Sequence, residues 1–110
     1  MGASPSPNIL HVEFTFKGEL WYWRGPSPCH FISIPDKQSK AIKEIASGVT
    51  YGWGAIPVVA TIGQTEFTTS IFPKDGLYIV PIKNVVRLGE KLEVDDVVKV
   101  LLTIKQVTNH

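Results

Sequence analysis

From Leu10 to Phe16 the even positions (Leu10, Val12, Phe14, Phe16) are apolar and the odd positions from His11 to Lys17 (His11, Glu13, Thr15, Lys17) are polar. A repeat of two is the signature of an extended strand with one dry face and one wet face, because successive side chains leave a strand on opposite sides. The same period returns at Ile56, Val58, Ala60 and Ile62, and again at Val98, Val100, Leu102 and Ile104. Each such strand must bury its apolar face against another layer, so the chain is committed to a sheet-built core.

The segments between these strands complete the pattern. Gly18 is predicted to mark a bulge, with Glu19 to Trp23 continuing as extended chain until Arg24-Gly25-Pro26-Ser27-Pro28 breaks it. A second strand is expected over His30 to Ile34. Ala41, Ile42, Ile45 and Ala46 then fall at helical spacing, which predicts an amphipathic helix over Asp36 to Ser47, stopped by Gly48 and covering one opening of the sheet. Gly63-Gln64-Thr65 predicts a turn into a partner strand, Glu66 to Phe72, and Pro73-Lys74-Asp75-Gly76 a tight turn into Leu77 to Val80. Lys83 to Leu88 fits a short helix ended by Gly89. Helices are too few for parallel crossovers. The expected fold is therefore mainly β: a small, largely antiparallel, closed or nearly closed β-barrel with one amphipathic helix and one short helix.

A chain of 110 residues, 44% of them hydrophobic, supports one core of modest depth. Residues 9–108 are expected to form that single domain, after a disordered tail over residues 1–8 that lacks the basic start and apolar run of a secretory signal. Met1-Gly2 with Ser6 has myristoylation spacing, but Pro5 interrupts it and no basic cluster supports it, so an untethered leader is the expectation. No run is long enough to span a membrane, and no membrane partner is expected. A net charge of +1 provides no single-sign field to gather polyanions. Cys29 is the only cysteine, which excludes an intrachain disulfide and any multi-thiolate metal site, and makes a cytoplasmic setting the default.

Gly52-Trp53-Gly54, Ile56-Pro57-Val58 to Thr61-Ile62-Gly63, Thr69-Ser70-Ile71-Phe72-Pro73, Gly76-Leu77-Tyr78, Pro81-Ile82-Lys83 and Val86-Arg87 form an ordered series of landmarks. Together with Glu19-Leu20-Trp21 and Asp96-Val97-Val98, the series resembles a family of small domains of unknown function, from about Phe14 to Ile104. The resemblance implies a double-split β-barrel, a fold shared with small transcription-regulator and antitoxin domains that bind DNA as dimers. In some relatives the domain is followed by a helical segment resembling OmpD-associated proteins, which this chain, ending soon after its last strand, is expected to lack. The chain departs from the family pattern at Cys29-His30, where a large aromatic more often precedes the position of Phe31.

No catalytic, metal or cofactor site assembles from local spacing. Cys29 and His30 are adjacent on extended chain and point to opposite faces, so the imidazole is not placed as the thiol's base. Gly48, Gly52 and Gly54 follow a helix and precede a strand, the reverse of a nucleotide-binding loop, and are expected to bend the chain around a mostly buried Trp53. Asp95-Asp96 reads as a turn before the last strand. Trp21, Tyr22 and Trp23 are expected to pack one side into the core, while the other side offers a stacking surface.

Lys83 and Arg87, four residues apart, are expected on one face of the short helix, near the hydroxyls of Thr69 and Ser70 in motif order. Three readings follow: a solvated helix face, a structural pair of Arg87 with Glu19 or Asp96, or an anion site in which the guanidinium grips two oxygens and Lys83 adds a point charge. The leading function is a non-enzymatic module that binds a small anionic or polar ligand through Lys83, Arg87, Thr69, Ser70 and Trp53, or a purely structural domain. The alternative is a DNA-binding or regulatory dimer by analogy of fold, against which near-neutral charge argues. An enzyme is the least supported reading.

Overall fold

The computed structural model describes residues 8–46 and 54–108. The leader before Asn8, Gly48, Gly52 and the expected buried Trp53 lie outside the described residues. Among the described residues six strands run in the order β1 (Asn8–Trp23), β2 (Cys29–Ser33), β3 (Ile56–Ile62), β4 (Thr65–Lys74), β5 (Leu77–Ile82) and β6 (Val97–Thr108). Two helices interrupt them, α1 (Asp36–Ala46) between β2 and β3 and α2 (Asn84–Gly89) between β5 and β6. The strands close into a barrel in the order β1-β2-β5-β4-β3-β6, every neighbour antiparallel. The mainly β, barrel-forming expectation holds.

Inward positions follow the alternation. Ile56, Val58, Ala60 and Ile62 are buried on β3, as are Val98, Val100, Leu102 and Ile104 on β6. The β3–β4 and β4–β5 hairpin turns are each two residues long, Gly63-Gln64 between Ile62 and Thr65, and Asp75-Gly76 between Lys74 and Leu77. Asp75 and Gly76 both have positive φ, 52° and 85°, the arrangement whose twist matches that of the flanking strands. Pro73 lies one step earlier, inside β4 opposite Tyr78.

Gly18 is not a bulge. The pairing of β1 with β6 runs unbroken from Asn8↔Thr108 through Gly18↔Val98 to Glu19↔Val97, with no inserted residue. Glycine is required there because β2 crosses close by: a Cβ on Gly18 would lie 2.6 Å from the Ser33 carbonyl oxygen and 2.8 Å from Ile32 Cγ2. Just past this crossing β1 changes partners, leaving β6 at Glu19 and pairing with β2 from Leu20 to Trp23. One strand thus serves both halves of the barrel.

The ladder between β2 and β5 opens at its other end around a serine. Ile34 N–H donates to the Tyr78 carbonyl at 2.8 Å, but the reciprocal bond is replaced by Ser39 of α1. Its buried hydroxyl accepts from Tyr78 N–H at 3.0 Å and donates to the Ile34 carbonyl at 2.8 Å. Helix α1 is wedged between the strands by this bridge and buries Ile42 in the core beside it. The predicted amphipathic helix is therefore in place at one end of β5. Helix α2 follows directly from the other end, at Ile82.

Candidate functional site

On β1 and β2 the inward row changes character within one two-residue step. Leu20 pairs with Ile32, and Ile32 with Val80, and all three are buried. One step further, Tyr22 pairs with His30 and His30 with Ile82, so the same face that builds the core now presents a phenol and an imidazole. The ring centroids of Tyr22 and His30 lie 4.7 Å apart. This row floors an open cleft of about 940 Å³. The expectation that one side of Trp21-Tyr22-Trp23 enters the core fails, since Tyr22 is 40% and Trp23 38% exposed. Tyr22 and Trp23 stand where β1 has left β6 and pairs with β2.

Cations stand on both sides of the floor. Arg24, just beyond β1, places its guanidinium carbon 5.9 Å from the Tyr22 ring centroid. Lys83, Asn84 and Arg87 line the opposite wall, and Trp21, Pro28, Cys29 and Val94 complete the rim. Among the described residues, none lining the cleft is acidic. In a chain of net charge +1, three of the basic residues therefore converge on one cavity with no counter-charge among the described residues of its walls.

Helix α2 is too short to hold itself and is positioned by two anchors. Val86 enters the core, and Glu90 accepts from Thr65 Oγ1 at 2.6 Å and from Gln64 N–H at 3.3 Å, tying the far end of α2 to the β3–β4 turn. Lys83 is not in the helix as expected: its extended backbone (φ −68°, ψ 152°) makes it the residue before the first turn. Its carbonyl accepts from Arg87 N–H at 2.9 Å, so the two remain one turn apart and share the cleft.

Arg87 is half-buried and matches neither a solvated face nor a structural pair. Among the described residues it makes no ion pair, with Glu19, Asp96 or any other carboxylate. Its Nη1 donates only a long bond, 3.4 Å, to the Leu92 carbonyl, and its Nε is shut from solvent with no hydrogen-bond partner. His30 feels the result. Burial, and then the nearby Arg87 cation, lower the imidazole pKa below its ordinary value.

The other sequence candidates are placed as follows. Thr69 and Ser70 sit on β4 opposite Val58 and Pro57, on opposite faces of the strand, and neither lines the cleft. Trp53 lies outside the described residues. The Cys29 thiol donates to the His30 carbonyl at 3.3 Å, not to its ring. Asp95 and Asp96 form the expected turn, with Asp96 Oδ2 accepting from Glu93 N–H at 2.9 Å and Asp95 N–H donating to the Leu20 carbonyl at 2.8 Å. Sequence reading missed Tyr22, Arg24 and His30 as partners of Arg87. The signal for the first and third was the inward alternation, which passes from Leu20 to Tyr22 and from Ile32 to His30 once the strands are paired. On the outer face Trp21, Trp23, Phe31, Phe72 and Ile79 line a second, smaller groove of about 220 Å³.

Fold and cleft together define a small closed β-barrel domain whose one end opens into a cation-walled cavity. The chain belongs to the family described as Domain of unknown function (DUF1905), whose sequence profile covers residues 16–102. No curated protein matches the chain. Among the described residues, no helix is long and apolar enough to cross a membrane.

Proposed function

We propose that this domain is a non-enzymatic binding module, working in the cytoplasm, that holds a small anionic ligand in the cleft between Tyr22, His30, Lys83 and Arg87. The observation that carries the reading is that, among the described residues, Arg87 has no carboxylate partner, its Nε has no hydrogen-bond acceptor, and the cavity it lines has no acidic wall. A half-buried cation with an orphaned N–H costs folding free energy and returns none through a protein partner, whereas an incoming oxyanion meets it with charge-assisted hydrogen bonds. Lys83 adds a second positive charge one helical turn away, and Asn84 supplies an amide. Thr69 and Ser70 are left out of the site by their position on β4.

Thermal unfolding with added pyrophosphate tests the proposal. Ligand at a hundred times its dissociation constant should stabilise the fold by about 2.7 kcal/mol. Arg87→Lys keeps the charge but loses the planar fork, and should lose most of that stabilisation. If the melting temperature does not respond to pyrophosphate, citrate or sulfate at millimolar concentration, the anion site does not exist. A response equally large in Arg87→Lys and Lys83→Gln would move the site elsewhere.

A further inference from the structure

The cleft asks for more than charge. Its floor is a row of one aromatic ring, one imidazole and one apolar side chain, Tyr22, His30 and Ile82, on three neighbouring strands. Strands stand about 4.8 Å apart, so the row spans on the order of 10 Å from Tyr22 to Ile82. The cations are not spread evenly over it. Arg24 stands above the Tyr22 end and Lys83 with Arg87 at the Ile82 end. The first is a guanidinium over an aromatic face, the second a guanidinium and an ammonium with no aromatic beneath them.

Resting on the anion-site reading, we infer that the ligand is a nucleoside phosphate, its base between Tyr22 and Arg24 and its phosphate against Arg87 and Lys83. A flat ring slotted between two planar groups needs roughly two van der Waals separations, about 7 Å. The Arg24 guanidinium already stands 5.9 Å from the Tyr22 centroid, and Arg24 is exposed, so an outward swing of about 1 Å opens the slot. Both faces suit a base, because aromatic rings and guanidinium planes each stack on nucleobases. The distance along the floor then leaves room for a sugar over His30 before the phosphate reaches Arg87. The volume of about 940 Å³ accommodates one such ligand. A nucleic acid strand requires a groove that follows many phosphates, and a chain of net charge +1 with three cations gathered in a single cleft does not provide one.

Calorimetric titration of the full chain with adenosine monophosphate, inorganic phosphate and adenosine separates the elements of the proposal. Adenosine monophosphate should bind at least about tenfold more tightly than phosphate, the stacking contribution of one base. Tyr22→Leu should remove that margin, so that within the variant adenosine monophosphate and phosphate bind within about twofold of each other. If Tyr22→Leu does not fold, Arg24→Gln makes the same comparison at an exposed position. Equal affinity for phosphate and adenosine monophosphate would overturn the nucleotide assignment and leave the anion site standing. Adenosine binding as well as its monophosphate would overturn it by showing that the phosphate is unread. No binding of phosphate or nucleotide removes both this inference and the anion site beneath it. A single-stranded oligonucleotide binding more than tenfold tighter than the monophosphate would replace the free nucleotide with a strand.

Discussion

Replacing Arg87 with methionine removes the guanidinium but keeps an unbranched stem of similar reach, so it isolates the cost of the unpaired group. A buried donor without a partner costs about 1–3 kcal/mol. Against that recovery stand two losses. The bond from Nη1 to the Leu92 carbonyl is 3.4 Å long, beyond the usual range for such bonds, and is worth below about 1 kcal/mol. A cation in the last turn of α2 interacts favourably with the helix dipole by about 0.3–1 kcal/mol. The balance favours the variant by about 1 kcal/mol. Urea unfolding followed by far-ultraviolet dichroism should show a higher midpoint at unchanged slope, and thermal unfolding a rise of about 4 °C or slightly more. The same exchange should raise the His30 pKa in an NMR titration. It should stop short of the ordinary value, because burial contributes more to the depression than the Arg87 charge does. Arg87→Ala, which also loses the stem, should be less stable than Arg87→Met. A loss of more than about 1 kcal/mol in the methionine variant would refute the reasoning and make Arg87 a structural clasp on Leu92.

Three further outcomes follow from the fold. Ser39→Ala strands the Tyr78 N–H and the Ile34 carbonyl where α1 enters the barrel, and should cost about 1–3 kcal/mol in urea unfolding; a cost under about 0.5 kcal/mol would mean that the two strands simply close the gap. Gly18→Ala drives a methyl into the Ser33 carbonyl, which is backbone and cannot swing aside, so a loss of about 1–3 kcal/mol is expected, and a neutral result would contradict the close crossing of β1 and β2. His30 has a folded-state pKa below its unfolded one, so the unfolded chain binds the proton first as pH falls. Stability attributable to His30 is complete above pH of about 6.5 and declines below it until the folded imidazole also protonates, so the urea midpoint of the parent should fall more than that of His30→Gln between those limits. Parallel curves for the two proteins would show that His30 titrates as a free side chain.

Strands were legible because their period is local. The alternation at Ile56 to Ile62 and at Val98 to Ile104 survives any rearrangement of neighbours, and the helix over Asp36 to Ala46 is equally self-contained. What escaped was set by distant partners. Gly18 looks the same in sequence whether it makes a bulge or admits a crossing strand; only the approach of Ile32 and Ser33 decides. Ser39 carries no mark of its role, since its two partners lie five residues back and thirty-nine residues ahead. Lys83 and Arg87, four residues apart, line one cleft through the local turn that joins them, whereas motif order says nothing about where Thr69 and Ser70 point, and β4 takes them elsewhere.

The cleft was hidden for a related reason, which also explains why this end of the barrel holds it. A closed barrel buries an inward side chain only where strands stand opposite it, and β1 and β2 run on together as a hairpin past that point. Positions still inward by alternation then face a space that α2 walls on one side. Apolar residues there would form an exposed patch, whereas Tyr22 and His30 tolerate both water and packing. The wall itself is held by Val86 in the core and by Glu90 on Thr65, so Arg87 is carried to the cavity by contacts that owe nothing to its own charge. Positioning and chemistry are thus divided between different residues of the short helix and its C-terminal cap. For that reason Arg87 can be exchanged without dismantling the barrel, while Glu90→Gln, which weakens the tie to Thr65, should loosen the wall and reduce anion affinity although it touches no ligand. Binding unchanged in Glu90→Gln, measured by the same pyrophosphate titration, would show that Val86 alone suffices to hold α2 in place.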